Sequence, residues 1–200
     1  IFNSDDVLGL EEMPQTLAII GAGVIGCEYA TIFAALGVRV TLVDKRDQLL
    51  PFIDSEITDA LVYHMRQDRL VLRLGEAVQS MEAVDDEKGE RVRVILESGK
   101  RFSAHKALYA IARMGATASL NLANAGLKAD NRGLIETNDN FQSEVPPIYA
   151  VGDVAGFPSL ASTAMEQGRN AAAHAFGADI SGFPEHFPYG IYTIPEISVI

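Results

Sequence analysis

Residues 17–30 read LAIIGAGVIGCEYA. Leu17 to Ile20 is an apolar run of strand character, Gly21, Gly23 and Gly26 form a glycine turn, and a helix is predicted to open at Val24. A second apolar run, Val38 to Val43, ends at Asp44. Strand, glycine turn, helix, strand and acid, in that order, make the dinucleotide-binding fingerprint in the context that gives it meaning. Each glycine has a mechanical reason. Gly21 permits the tight turn, Gly23 lets a pyrophosphate approach the backbone, and Gly26 lets the helix pack close on the strand. The free amides at the helix start then face the phosphates.

The chain has 200 residues, 48% of them apolar and 22% charged. That is enough for one large domain, or one domain with part of another. A net charge of −11 argues against nucleic acid or an anionic membrane as a partner. It does not disfavour an anionic dinucleotide, whose phosphates are held by backbone amides. No apolar run reaches the ~18 residues of a membrane span, and no signal-peptide pattern opens the chain. A cytoplasmic location is the expectation. Cys27, the single cysteine, cannot form an internal disulfide. It reads either as a small packing residue or as a thiol near the positive end of the helix. The histidines at 64, 105, 174 and 186 are widely separated, and no metal is expected.

Working outward, Gly37 stops the first helix after Leu36, and Val38 to Val43 has the β-branched pattern of a strand buried on both faces. Asp54 or Ser55 caps a second helix with Ile57, Leu61 and Met65 on one face, and Val71 to Leu74 completes a βαβαβ half. The rhythm then changes to alternation in Val78–Val84, Val92–Glu97 and Arg101–Ser103, a small antiparallel meander. Its acidic tip (Asp85, Asp86, Glu87, Glu90) reads as a solvated turn. Ala107 to Ala112 returns as a strand. Beyond it come a short helical piece at Leu120–Ala125, strands at Gly133–Thr137 and Ile148–Val151, a long helix at Ser159–Phe176, and a proline- and aromatic-rich connector at Phe183–Tyr189. Ile1 is not a methionine, an acidic connector (Asn3, Ser4, Asp5, Asp6) follows it, and Ile200 falls within an apolar run. A piece of a longer protein is expected. The fold class is α/β, a Rossmann-like doubly wound parallel sheet with an antiparallel three-strand meander, plus part of a second domain.

Five stretches carry a family likeness: GAGVIGCEYA (21–30), DKRDQLLPFID (44–54), LYAIARMGA (108–116), TNDNFQSEVPPIYAVGD (137–153) and GIYTIPEIS (190–198). In this order they resemble the FAD/NAD-linked pyridine nucleotide-disulfide oxidoreductase family, class I. The resemblance implies FAD with NAD or NADP as cofactors, a homodimeric parent protein and three regions. These are an NAD(P)-binding domain (1–114), the C-terminal portion of an FAD domain (115–189) and the start of a dimerisation domain (190–200). Within the family, IIGAGVIGCEYATIF, PSLASTAMEQGR and GIYTIPEIS are similar to the branch that passes hydride between NADPH and NAD⁺ through flavin. A dihydrolipoyl dehydrogenase or other disulfide reductase of the family remains open, as does a stand-alone, non-catalytic NAD-binding module. In hydride transfer the cofactors carry the chemistry, so no catalytic side chain is assigned. The resemblance also implies that these 200 residues alone do not catalyse the reaction.

Site residues follow from the same likeness. Gly21, Gly23, Val24, Ile25 and Gly26 match the pyrophosphate turn. Glu28 matches an acid at the nicotinamide end, or is simply an acid favoured near a helix start. Asp44 matches the acceptor of the adenosine ribose hydroxyls. Lys45 and Arg46 can pair with a 2′-phosphate or can belong to a solvated loop. Val78 aligns with an adenine contact or is an ordinary strand core residue, and Ala110, Ala112 and Arg113 align with the nicotinamide side, where Ala112 replaces the family's glycine. Asp153 matches the residue that holds the flavin ribityl chain, although a turn cap is the alternative. Ala161 matches a backbone approach to the flavin.

Overall fold

The computed structural model describes residues 1–86, 89–179, 182–183 and 186–200. Glu87, at the expected acidic tip, and Pro184 and Glu185, in the expected connector, lie outside the described residues. The chain divides into two units, Ile1–Ala112 with Pro188–Ile200, and Arg113–Phe187.

The first unit is built on a parallel sheet of order β1-β8-β2-β3-β4. Its strands are β1 (Phe2–Asn3), β2 (Thr16–Ile20), β3 (Arg39–Asp44), β4 (Val71–Leu74) and β8 (Lys106–Tyr109). Leu17 pairs with Val40 and Ile20 with Val43 on one side of β2, and Ile19 pairs with Leu108 on the other. Because side chains alternate across a strand, β2 supplies two layers at once. Leu17 and Ile19 face a core with Val40 and Leu42, Cys27, Ala30 and Phe33 of α1 (Val24–Ala35), and Leu61 and Met65 of α2 (Ser55–Gln67). Ala18, Ile20, Val43 and Ala107 face the other way, onto the antiparallel meander of β5 (Val78–Asp86), β6 (Gly89–Leu96) and β7 (Arg101–Ala104). Val92, Val94 and Leu96 of β6 point into that second core. Full burial of each such side chain contributes about 1.5–3 kcal/mol, and the central strands β2 and β3 are covered on both faces. No helix among the described residues is long and apolar enough to cross a membrane.

Local signals explain most boundaries. Asp54 caps α2 by accepting from the Glu56 amide at 2.8 Å. Ile57 was expected on the buried face of α2, but it is 43% exposed, and Thr58, Leu61 and Met65 form that face instead. Thr58 can be buried because its hydroxyl donates to the Ser55 carbonyl. The N-terminal connector is more ordered than its composition predicts. The Asn3 side chain accepts from the Asp5 and Asp6 amides, and β1 before it pairs Phe2 with Leu108. The C-terminal segment folds onto the same unit as a hairpin of β9 (Tyr189–Ile191) and β10 (Ile197–Val199), with Ile191 and Ile197 in the α1/α2 core.

In the second unit the principal element is α3 (Ala161–Ala175). The strands expected at Gly133–Thr137 and Ile148–Val151 do not form. A strand needs a neighbouring ladder, and among the described residues these segments have only isolated partners. Ile135 N donates to Val154 O at 2.8 Å, and a single antiparallel bridge joins Gln142 to Tyr149. The short helical piece is a 3-10 turn at Leu122–Ala125.

Candidate functional site

The glycine turn connects β2 to α1 at the carboxyl edge of the parallel sheet, where α/β folds hold their ligands. Gly21 has φ of +107°, a region L side chains avoid, and a Cβ there would lie 2.5 Å from the Ala110 carbonyl oxygen. A Cβ on Gly26 would overlap the Gly21 carbonyl oxygen, so the helix packs directly on the turn. Gly23 differs, because a Cβ there meets nothing within 4 Å. It is the N-cap of α1 and supplies no side-chain cap, which leaves the amides of the first turn open to an anion. Two glycines therefore serve the fold, and the space over the third is free.

Asp44 ends β3 and is 7% exposed. Four donors converge on its carboxylate. The Ala22 amide donates to Oδ2 at 2.6 Å and the Arg46 amide to Oδ1 at 2.8 Å. Arg46 Nε reaches Oδ1 at 3.0 Å and Nη2 reaches Oδ2 at 2.7 Å. Burial pushes the Asp44 carboxyl up, but the Arg46 and Ala22 hydrogen bonds outweigh it and hold the group below the usual carboxylate range. The Ala22 bond ties the acid to the glycine turn itself.

A cleft of about 460 Å³ is lined by Gly21, Asp44, Lys45, Arg46, Glu76, Val78 and Glu97, among others. Glu76 sits in the turn after β4, where its amide donates to the Asp44 carbonyl, and Lys100 and Ser98 bond its carboxylate and draw its pKa down. Lys45 is exposed and makes no ion pair or hydrogen bond among the described residues.

Of the residues singled out from sequence, Gly21, Asp44, Lys45, Arg46 and Val78 line this one cleft, and Ala110 abuts Gly21 through its backbone. Gly23, Val24, Ile25 and Gly26 form the adjoining helix start. Ala112 is exposed at the end of the first unit, and Arg113 opens the second. Glu28 is placed in an unexpected way. Its Oε1 accepts the Tyr192 amide at 2.8 Å, while Thr31 Oγ1 accepts the Ile194 amide at 3.1 Å, so α1 carries the C-terminal hairpin. Cys27 is fully buried, and burial pushes its thiol up to about 12, with the Asp44 charge adding to the effect. It packs and is not a nucleophile.

In the second unit, Asp153 is exposed in a 3-10 turn at Gly152–Ala155. Gly152 has φ of +73°, and its amide donates to Gln167 Oε1 at 2.7 Å. Gln167 is a buried polar residue of α3 that anchors the turn, and nothing in its local sequence announces that role. Ala161 begins α3, whose N-cap, Leu160, has no side-chain cap. An exposed carboxylate beside a positive φ turn and, separately, an uncapped helix start both suit a polar cofactor chain.

The sequence matches the pyridine nucleotide-disulphide oxidoreductase family over residues 1–168, and the chain belongs to that family of oxidoreductases. Over all 200 residues it is 48% identical to the soluble pyridine nucleotide transhydrogenase of Mycobacterium tuberculosis, of which it spans 42%. Among solved structures it is similar to LpdA of M. tuberculosis, at a TM-score of 0.90 and 28% identity, covering 99% of this chain and 42% of that one. It is also similar to the HOCl-induced flavoprotein disulfide reductase RclA of Escherichia coli, at a TM-score of 0.88 and 27% identity, covering 98% and 44%. The chain thus spans less than half the length of the relatives it matches. Family and flavoprotein neighbours together imply FAD and a nicotinamide dinucleotide as the cofactors.

Proposed function

We propose that the chain carries the nicotinamide dinucleotide site, and part of the FAD site, of an enzyme that passes hydride between NADPH and NAD⁺. The observation that carries this reading is the trio of Asp44, Lys45 and Arg46 on one cleft. An acid suited to ribose hydroxyls stands beside two cations suited to a 2′-phosphate, which is what tolerance of both dinucleotides requires. Identity of 48% to a transhydrogenase, against 28% to LpdA and 27% to a disulfide reductase, supports it over a disulfide-reductase activity.

The residues divide the work. Amides at Val24, Ile25 and Gly26, reached over the open space at Gly23, hold the pyrophosphate, while Gly21 shapes the turn. Asp44 accepts from the adenosine ribose, and Lys45 and Arg46 meet a 2′-phosphate when one is present. Val78 packs against the adenine, and Ala110 and Ala112 border the nicotinamide side. Glu28 meets the nicotinamide end through Oε2, the oxygen left over from its bond to Tyr192. In the second unit, Asp153 accepts from the flavin ribityl chain and the Ala161 amide approaches the flavin. Bound FAD supplies the two-electron carrier chemistry, so the side chains position and exclude water and need not transfer a proton. Division into a nicotinamide domain (1–114), a flavin-domain portion (115–189) and the start of a dimer interface (190–200), in a cytoplasmic homodimer, belongs to the same reading. So does the expectation that these 200 residues alone are inactive.

Fluorescence titration of the chain with NADH and with NADPH tests the proposal. Both bind, NADH more tightly. Absence of NADH binding at millimolar concentration overturns it.

A further inference from the structure

The cleft holds three carboxylates, and two of them are already satisfied. Asp44 is forked by Arg46, and Glu76 is bonded by Lys100 and Ser98. The third, Glu97, lines the same cleft, is exposed, and its carboxylate has no partner among the described residues. Its place is set by backbone. The Glu97 amide donates to the Ala77 carbonyl at 2.9 Å, which holds the turn after β6 against the segment that leads into β5.

Hydrogen bonds run from Ala22 to Asp44, from Glu76 to Asp44 and from Glu97 to Ala77, and this succession away from the glycine turn gives the carboxylate a use. With the pyrophosphate at the start of α1 and a ribose on Asp44, the base of the same nucleotide lies farther along, beyond the end of β3. There the cleft offers apolar surface from Ala77, Val78 and Ile111, suited to the flat faces of a purine, and, among the described residues, one carboxylate without a partner. A carboxylate only accepts hydrogen bonds. It therefore matches the 6-amino group of adenine, which donates, and opposes the 6-oxo group of hypoxanthine or guanine, whose lone pairs face it.

We propose that Glu97 is the purine-reading residue of this cleft, selecting adenine dinucleotides over 6-oxopurine ones. The inference rests on the dinucleotide reading above and adds the group that discriminates the base.

Titration with NADH and with reduced nicotinamide hypoxanthine dinucleotide separates the two. The wild-type chain favours NADH by about tenfold or more, the scale of one hydrogen bond to a charged acceptor. Glu97→Ala lowers NADH affinity and relieves the clash with the 6-oxo group, so the affinities of NADH and the hypoxanthine analogue converge. Glu97→Gln, whose amide both donates and accepts, narrows the preference by improving the analogue. Equal wild-type affinity for the two overturns the proposal, as does a parallel loss of both in Glu97→Ala. If the wild type binds neither, the dinucleotide reading itself has failed, a result distinct from either. Thermal unfolding of each variant, at an exposed turn position, reports that the fold is intact.

Discussion

The Arg46 guanidinium grips the Asp44 carboxylate at two points, Nε on Oδ1 at 3.0 Å and Nη2 on Oδ2 at 2.7 Å. Each partner is therefore the other's competitor for a ligand. A ribose 2′-hydroxyl needs an acceptor that Arg46 already occupies, and a 2′-phosphate needs a donor that Asp44 already holds. The pair keeps the acid neutralised beside the glycine turn, and on the proposed reading one end of it yields when a dinucleotide enters.

Removing Arg46 unbalances that competition. Arg46→Ala lowers NADPH affinity by about tenfold or more, the loss of a charge-assisted pair to phosphate. NADH affinity holds or rises, because Asp44 keeps the Ala22 amide and regains free lone pairs. Parallel loss of both affinities in the same titration contradicts this division of labour.

The pH dependence of stability follows from the direction of the Asp44 shift. Its folded-state pKa lies below the ordinary value, so the folded state binds the proton less readily than the unfolded chain. The stabilisation is present above the unfolded pKa of about 3.9 and is lost as pH falls through the lowered folded value. Thermal unfolding of wild type and Asp44→Asn therefore shows a gap that is constant from pH 7 to about 5 and narrows below about 4. A gap that stays constant to pH 2 places the stabilising carboxylates elsewhere.

The three glycines separate fold from ligand. Gly26→Ala forces a methyl into the Gly21 carbonyl oxygen and costs about 1–3 kcal/mol or more. Gly23→Ala meets open space at a φ of −78° and costs under about 1 kcal/mol, the scale of an N-cap exchange. Its methyl instead projects where the pyrophosphate approaches, so NADH binding falls while the melting temperature barely moves. Calorimetry and titration of the two variants check both halves, and a Gly23→Ala variant that binds NADH normally removes the turn from the site.

Cys27 serves as an internal probe of the α1 core. With its thiol pushed up to about 12, it stays unreactive toward a disulfide reagent at pH 8 in the folded chain and reacts stoichiometrically in denaturant. Rapid labelling under native conditions shows that α1 does not remain packed on β2.

Much of the first unit was legible because its signals are local. The β2–turn–α1 run, the Asp54 cap and the alternation of β6 each depend on residues a few positions apart. The strands expected at 133–137 and 148–151 do not form because a strand is a property of two segments, and an apolar run does not say whether a partner lies beside it. Ile57 lies off the buried face because a helical face is set by what covers it, and the core of the first unit takes Thr58 instead.

The sequence alone determined the order of the elements from β2 to β8, the glycine turn, and the chemical groups available to the cleft. These rest on backbone conformation and near-neighbour spacing, which a linear string contains. Only the tertiary structure decided how those groups are spent. It folds Arg46 back on Asp44, turns Glu28 toward the amide of Tyr192, 164 residues away, and sets Gln167 under the Gly152 turn. It also leaves the Glu97 carboxylate without a partner among the described residues while Lys100, three residues on, is taken by Glu76. Hydrogen bonds and ion pairs form where packing delivers a donor to an acceptor within about 3 Å, and nothing in composition or periodicity specifies that meeting.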